Sequence, residues 1–488
     1  MSVVLEGISR RLRTEARTES LTSFVANSIA IAVLVLLFIA VTLRIAPNFL
    51  YPYPLEAGDG GMLSSAWRVA TGSPIYNPVQ HAPFVFNIHS PIFIHLSAFI
   101  LKLFGPYAGG PRLLAELMLI GASFFVFLTT RRLTGSITAS IVAALVLPLE
   151  RHVVRRSGLA ICDFCSLLFL MAGVYFWVVG GKWRWAAVAS FVLAFFSKQS
   201  AVLVPQAVML TALVERKRLR ILLYEGAYLL LMGAGFGVCW LIWGKAFFLD
   251  TMYYGTVTRF DPWVGFLSIL LTVATYPLFF IAAGWAVMRA FRRKTLIPAA
   301  LLPAGLIQAY LVGNAGASHA YFFDLSAALA LSMGLFWPYL VAVMERTQAR
   351  TRRIALVFVV VQAVLIFSAA LYKSEGRGVF LESQIKGEAQ HVSMYERPGM
   401  VLSTRTGYDL GRVGMDFTTD PHRLGQLLIA GLVPREEIER LVRERQFSAV
   451  IMPADEDPLG IFDANLRRLV EGNYRQLGQT RKEIYFLR

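Results

Sequence analysis

The sequence predicts an α-helical polytopic membrane protein with about eleven transmembrane helices and a C-terminal extracytoplasmic α/β domain. Hydrophobic residues make up 56% of the 488 residues and charged residues 16%, whereas soluble domains carry roughly 45–50% and about 25%. Many segments approach the roughly 20 apolar residues that a helix needs to cross a bilayer. Inside lipid such segments must be helical, because the backbone has no other hydrogen-bonding partner.

The basic residues lie in short clusters between the apolar runs. We place the arginine-rich tail, residues 1–25, in the cytoplasm, and the apolar run 26–46 as the first span, because it is too long for the apolar core of a signal peptide. Every strongly basic short loop then faces inward, as the positive-inside rule requires. These loops contain residues 131–132, 182–184, 215–218, 292–294 and 345–353.

The formal net charge of +16 is explained by this topology, and we expect no nucleic-acid partner. The three cysteines, Cys162, Cys165 and Cys239, are too few for a disulfide framework and lack the second pair of a zinc site. We therefore interpret them as small apolar residues.

Residues 26–371 are predicted to form the transmembrane domain, with a large first outer loop at 48–111. Within this loop the apolar run 91–104 is too short to span comfortably and is placed as an interfacial helix. An eleventh span at 354–371 leads to a mixed, charged segment, 372–488, with predicted strands at 400–403 and 449–452 and an amphipathic helix at 436–445. An odd number of spans places this domain outside.

Several basic residues fall at the outer ends of the predicted spans, where positive charge is normally scarce. Arg155 and Arg156 lie in the loop 150–156, Lys198 interrupts an apolar helical stretch, and Arg259 precedes another span. Such groups often mark the path of an anionic substrate. Pairing with Glu150 and lipid headgroups, or snorkelling of long side chains, is the alternative, and we prefer snorkelling for Lys245.

The first outer loop supplies two acids, Glu56 and Asp59, among glycines that allow close approach of a backbone or substrate. A carboxylate facing cations at a membrane surface has the parts of a general base beside an anionic leaving group. Acid-glycine pairs are also common in plain turns. His89 and His319 are candidate sugar or metal contacts, although such residues are more often ordinary hydrogen-bonding partners, and we infer no metal site.

These motifs occur in an order that resembles the GT-C membrane glycosyltransferases, specifically family 39-like proteins related to protein O-mannosyltransferases and lipid A aminoarabinose transferases. The similarity covers nearly the whole length. The acid-glycine, Gly-x-x-x-Tyr and Ser-Pro elements of the family look like residues 56–60, 72–76 and 90–91, and its Thr-Lys-Gln signature looks like 197–199. Its Gly-Ser-x-x-Asn-Tyr element looks like 316–321, with alanine in place of asparagine.

The resemblance implies roles for individual residues. Asp59 becomes the leading candidate for the base that activates the acceptor, with Glu56 as its rival. Asp163 matches an acid near the active site, although the arginine of the family's Arg-x-Asp motif is displaced to Arg156. The implied phosphate-binding residues are Lys198, Arg259, Arg155 and Arg156, and the implied substrate contacts are Tyr76, His89, His319 and Tyr321. We predict no specific cofactor. A divalent metal is not supported by any ligand motif in the sequence.

The resulting hypothesis is a hexosyl- or pentosyltransferase in the inner (cytoplasmic) membrane. It would move a sugar, with inversion, from a polyprenyl-phosphate donor to an envelope lipid, glycan or protein at the outer face. A transporter or flippase of an amphiphilic anionic lipid-linked substrate is the alternative, although transporters usually bind near the midplane between inverted repeats. A non-catalytic scaffold would need neither Lys198 nor the acidic loop.

Overall fold

The structure, a computed structural model, describes residues 21–77, 82–213, 218–293, 295–346, 385 and 388–488. It has two parts, a bundle of apolar helices up to residue 346 and a smaller α/β domain, residues 388–488, which we call the C-terminal domain. The predicted fold class, a helical membrane domain followed by a domain with a small sheet, is confirmed.

Helices of very different lengths build the first part. In chain order they are α1 (Leu21–Leu50), α2 (Ala57–Ala70), α3 (Pro91–Phe104), α4 (Gly109–Thr134), α5 (Ile137–Leu149), α6 (Arg151–Val154), α7 (Asp163–Val179), α8 (Trp183–Ser197), α9 (Leu203–Leu210), α10 (Arg218–Phe248), α11 (Pro262–Thr275), α12 (Pro277–Arg293), α13 (Ile297–Tyr310) and α14 (Phe323–Arg346).

Among the described residues, four helical stretches are long and apolar enough to cross a membrane: Ser23–Leu50, Gly109–Thr134, Leu222–Thr256 and His319–Glu345. A further pair, α11 and α12, meets this condition together but bends by 95°. Six shorter apolar helices, α3 among them, accompany these. A multi-pass membrane domain is thus confirmed, whereas the count of about eleven spans stays a prediction. Residues 1–20 and the predicted span 354–371 lie outside the described residues.

Lys198 lies in a break between two helices, as expected of a residue that interrupts an apolar helical stretch at the end of a span. Helix α8 ends at Ser197, Lys198 is extended with φ −152° and ψ 117°, and α9 begins only at Leu203. Because α7 packs against α8, the start of α7 and the end of α8 lie side by side. This break places the ammonium group of Lys198 beside Asp163, the first residue of α7.

The C-terminal domain is built on a five-stranded mixed sheet with strand order β2-β1-β3-β5-β4. The strands are β1 (Gly399–Ser403), β2 (Gly414–Asp416), β3 (Phe447–Pro453), β4 (Arg475–Gln479) and β5 (Glu483–Leu487), and the helices are α15 (Ala389–Ser393), α16 (Pro421–Ile429), α17 (Arg435–Arg443) and α18 (Ala464–Asn473). β1 pairs in parallel with β2 and β3, whereas β5 is antiparallel to β3 and β4.

The predicted elements of this domain are confirmed. Strands β1 and β3 cover the apolar runs 400–403 and 449–452, and α17 covers most of 436–445. In α17 the apolar residues Ile438, Leu441 and Val442 are buried, and their spacing places them on one helix face.

The first outer loop and the C-terminal domain share one hydrophobic core. Phe84 and Phe86 are buried among residues of the C-terminal domain, and the Phe84 ring meets Phe417 edge-on at 5.3 Å between centroids. The hydroxyl of Thr419 donates a hydrogen bond of 2.6 Å to the carbonyl oxygen of Phe86. On α2, Ser64 donates one of 3.0 Å to Asp409. The loop therefore fixes the C-terminal domain against the helical bundle.

The glycines of the acidic loop allow this docking. A Cβ atom at Gly60 would overlap the carbonyl oxygen of Thr406, and one at Gly61 would lie 2.8 Å from the carbonyl oxygen of Thr419. Both oxygens belong to backbone segments of the C-terminal domain, which a side-chain rotation cannot move. The glycines of the acid-glycine motif are thus explained by close packing of two backbones.

We expect Gly60→Ala to destabilise the docked C-terminal domain by about 1–3 kcal/mol, the usual effect of inserting a methyl group where there is no room. Thermal unfolding and limited proteolysis of the purified protein measure this. Gly233→Ala is the matched control, because Gly233 lies on an exposed face of α10 with no atom within 4 Å of a new Cβ. Equal stability of the two variants would contradict the docking account.

Candidate active site

A cavity of about 700 Å³ lies between the helical bundle and the C-terminal domain. We call it the junction cavity. Its polar and charged lining comes from the first outer loop, from the ends of helices α7 and α8, and from the start of α16 in the C-terminal domain. The lining includes Asn87, His89, Arg156, Asp163, Lys198, Gln199, Tyr321, Asp420, His422 and Arg423.

Lys198 and Asp163 form an ion pair on the cavity wall. Their side chains are only 14% and 10% exposed, so the charges are largely shielded from water. The ammonium group of Lys198 also lies 4.7 Å from the centre of the Tyr321 ring, in a cation–π contact. Asp163 is in the first turn of α7, where the helix dipole favours a negative charge. The pair therefore holds a cation at a fixed position facing the cavity.

Arg156 and Glu56 form a second ion pair, with 2.5 Å between the guanidinium and carboxylate atoms. Arg156 lines the cavity, and a Cβ on the lining residue Gly58 would lie 3.0 Å from a carboxylate oxygen of Glu56. The Glu56 side chain is 21% exposed, about twice the value for Asp163. Glu56 itself does not line the cavity, and its carboxylate lies behind the lining residues Gly58 and Arg156.

Asp59 occupies a different environment. Its carboxylate has no exposed surface and forms an ion pair with Arg112 at 2.6 Å. It also accepts hydrogen bonds from the backbone nitrogens of Leu55 and Ala160 at 3.0 and 2.8 Å. Asp59 does not line the junction cavity. The contacts of Asp59 hold the first outer loop to helix α4 and to the segment before α7.

The histidine and tyrosine predicted in the first loop are linked to each other. His89 lines the cavity, with Nδ1 3.5 Å from the sulfur of Cys162. Tyr76 lies behind it, fully covered, and donates a hydrogen bond of 2.7 Å to the carbonyl oxygen of His89. Burial lowers the pKa of His89 to about 4. The ring is therefore neutral at neutral pH and contributes hydrogen bonding rather than charge.

Three further predicted residues, Arg155, His319 and Arg259, lie outside the cavity lining. The guanidinium of Arg155 is 2.5 Å from Nε2 of His319, and the His319 ring in turn contacts His152. Arg259 is exposed, and its carbonyl oxygen accepts a hydrogen bond of 2.8 Å from the nitrogen of Ala315. The predicted site residues thus fall into two groups. Those that line the cavity are Arg156, Asp163, Lys198, His89 and Tyr321, and the others do not line it.

In the part of the chain that the structure describes, no group of three or more His, Cys, Asp or Glu residues could hold a metal ion.

Comparison with known proteins identifies others that share this architecture. Residues 88–243 match the model of the dolichyl-phosphate-mannose-protein mannosyltransferase family. The structure is similar to ArnT from Cupriavidus metallidurans bound to undecaprenyl phosphate, with a TM-score of 0.65 and 13% identity over 93% of this chain and 97% of that one. The chain shares the fold of this protein.

A second GT-C neighbour is the archaeal oligosaccharyltransferase AglB from Archaeoglobus fulgidus, in complex with an inhibitory peptide and a dolichol-phosphate. It matches with a TM-score of 0.52 and 12% identity over 87% of this chain and 69% of that one. No curated protein matches the chain. At these identities the structural likeness establishes the GT-C fold, while the chemistry depends on the residues of the cavity itself.

Sequence reasoning missed the contribution of the C-terminal domain to the junction cavity. Asp420, His422 and Arg423 line the cavity from the start of α16. The Asp-Pro pair at 420–421 does predict the start of a helix, because Asp420 caps it and Pro421 is its first residue. Nothing local in the sequence indicates that this helix faces Lys198, more than 200 positions earlier in the chain.

Proposed function

We propose that the protein transfers a sugar from a polyprenyl-phosphate donor to a hydroxyl-bearing acceptor at the outer face of the inner membrane. The observation that carries the proposal is the convergence of Lys198 and Arg156, each paired with a carboxylate, on one largely shielded cavity. Shielded cations stabilise a developing negative charge more strongly than exposed ones. The GT-C fold supports the same assignment.

In this proposal the phosphate of the donor lies against Lys198 and Arg156. The acceptor oxygen attacks the anomeric carbon from the opposite side, and the bond between that carbon and the phosphate oxygen breaks. The electron pair stays on the phosphate, whose negative charge the two cations stabilise. Attack from the opposite face inverts the anomeric configuration.

We assign the general base to Glu56, which takes the proton of the acceptor hydroxyl. Its carboxylate lies behind Gly58 of the cavity lining, contacts Arg156 and is 21% exposed, whereas that of Asp59 is fully buried. Asp163 is less exposed, at 10%, and positions the ammonium group of Lys198. Asp59 holds the loop that carries Glu56. Contacts other than those of these reacting groups select the hexose or pentose that is transferred. Such contacts also select a lipid, a glycan or a protein as the acceptor.

The proposal is tested with purified protein in nanodiscs and a panel of polyprenyl-phosphate-linked sugars, by following the release of polyprenyl phosphate by mass spectrometry. We expect protein-dependent release that increases with an added envelope extract as the source of acceptor. A parallel measurement in proteoliposomes follows movement of the donor across the bilayer. Movement without consumption of the donor would contradict transfer and identify the protein as a flippase.

A further inference from the structure

Arg423 is a buried cation that no carboxylate of the described residues contacts. Its side chain belongs to the start of α16 and lines the junction cavity, yet the residue is only 5% exposed. One guanidinium nitrogen donates a hydrogen bond of 2.9 Å to the carbonyl oxygen of Val257. Its Nε atom has no hydrogen-bond partner among the described residues, and none of their carboxylates forms an ion pair with it.

The electrostatic surroundings do not compensate for this burial. Burial lowers the pKa of Arg423, and the charge of Asp420 raises it only in part. The carboxylate of Asp420 instead accepts a hydrogen bond of 2.9 Å from the backbone nitrogen of Arg423, as the cap of α16. An arginine stays protonated even so. A buried charge is costly unless something pairs with it.

A second hydrogen-bond donor without a partner among the described residues lines the same cavity. Asn87 is 2% exposed and lines the cavity, and its side-chain nitrogen has no partner among the described residues. Its side-chain oxygen is already used by the backbone nitrogen of His89. The hydrogen bond from Thr419 to Phe86 joins the segment before Asn87 to the turn that leads into α16. Arg423 and Asn87 therefore present donors to the cavity from two adjoining segments.

This donor pair is distinct from the cations assigned to the donor phosphate. Lys198 is engaged with Asp163 and Arg156 with Glu56, each in direct contact. Arg423 belongs to the C-terminal domain and Lys198 to the helical bundle, and His89 and Tyr321 lie within electrostatic reach of both. A single phosphate group at Lys198 and Arg156 leaves Nε of Arg423 and the side-chain nitrogen of Asn87 without an acceptor among the described residues.

We propose that Arg423 and Asn87 form a second anion subsite, which binds a phosphate or carboxylate group of the acceptor. The proposal rests on the proposed function and narrows it to acceptors that carry an anionic group near the hydroxyl that is glycosylated. The guanidinium fork and the amide donor together match the oxygens of a phosphomonoester or a carboxylate. The C-terminal domain thereby takes part in selecting the acceptor.

The test uses the full-length protein in nanodiscs and two probes. Undecaprenyl phosphate represents the lipid part of the donor, and its affinity is measured first. Glycerol 3-phosphate, with glycerol as the uncharged counterpart, is then titrated into lipid-loaded protein by calorimetry. We expect the phosphomonoester, but not glycerol, to bind.

Arg423→Gln should weaken phosphomonoester binding about tenfold or more, as loss of a charged hydrogen bond implies. The affinity of this variant for undecaprenyl phosphate should be unchanged.

Two further variants separate binding from folding. Arg423→Lys keeps the charge and should retain more affinity than Arg423→Gln. Arg435→Gln is the matched control, because Arg435 also bonds backbone carbonyls within the C-terminal domain but does not line the cavity. It should leave the affinities for both probes unchanged. Thermal unfolding of each variant checks that the domain stays folded.

Each outcome has a separate meaning. If Arg423→Gln weakens undecaprenyl phosphate binding, Arg423 belongs to the donor phosphate site and the second subsite is refuted. The subsite is equally refuted if the phosphomonoester does not bind to wild-type protein, or binds to Arg423→Gln with unchanged affinity. If undecaprenyl phosphate fails to bind wild-type protein, the proposed function fails, while titration of lipid-free protein with the phosphomonoester still decides the role of Arg423.

Discussion

Replacing Lys198 with glutamine is expected to lower the rate of sugar transfer about 10²- to 10³-fold, the usual effect of removing one group that stabilises the charge of the transition state. The ammonium group lies in a wall where it is 14% exposed and is held by Asp163 and the Tyr321 ring. Its loss leaves the departing phosphate with only the guanidinium of Arg156. Initial rates of polyprenyl phosphate release, measured at saturating donor, give the change directly.

Lys245→Gln is the control for this prediction. Lys245 is exposed near the end of α10 and does not line the junction cavity. We expect wild-type rates and wild-type thermal stability for this variant. A Lys198→Gln protein that is folded and transfers sugar at the wild-type rate would remove Lys198 from the phosphate site.

Replacing Glu56 with glutamine and Asp59 with asparagine is expected to give two different defects. Glu56→Gln should fold normally and lose about 10²- to 10⁴-fold in transfer rate, as expected for a missing general base. Asp59→Asn leaves the buried guanidinium of Arg112 without its carboxylate. Breaking such a pair from one side costs about 3–5 kcal/mol of stability, so this variant should show a lower unfolding temperature and a lower yield of folded protein.

The comparison is made on folded protein isolated by size-exclusion chromatography, with rate and unfolding temperature measured on the same sample. Glu471→Gln, an exposed position on α18, controls for the loss of a carboxylate. The assignment of roles is reversed if Asp59→Asn keeps wild-type stability but loses transfer, or if Glu56→Gln transfers sugar at the wild-type rate.

Local patterns were sufficient to predict much of the fold. The apolar runs and the basic loops predict a multi-pass helical domain, because the bilayer imposes both the length and the helical state of its segments. The short apolar runs of β1 and β3 and the spacing of Ile438, Leu441 and Val442 predict the C-terminal elements. Each of these signals is complete within about ten to twenty residues.

The site depended on contacts that no local pattern contains. Glu56 and Asp59 are three positions apart and chemically alike, yet one is partly exposed beside Arg156 and the other is buried against Arg112. Their burial is decided by helix α4 and by the segment before α7, both distant in sequence. For the same reason Arg423 carried no signal, since its significance comes from the domain docking that brings α16 onto the cavity.

The contacts around the helix break at Lys198 could not be predicted from the sequence either. The sequence indicates the break itself, because Lys198 and its polar neighbours interrupt the apolar run and fall at the outer end of a predicted span. The structure ends α8 at Ser197 and resumes the helix at Leu203. The ion pair with Asp163 and the hydrogen bonds from the Gln199 side chain to the backbone at Ile88 and Thr251 accompany the non-helical segment. These partners are recognisable only in three dimensions.

The most direct test of the central claim is an experimental structure of the full-length protein with undecaprenyl phosphate in nanodiscs. We expect the phosphate group to lie in the junction cavity, within hydrogen-bonding distance of both Lys198 and Arg156. The prenyl chain should extend from there toward the helical bundle. A phosphate bound elsewhere on the protein, with the cavity free of lipid, would contradict it.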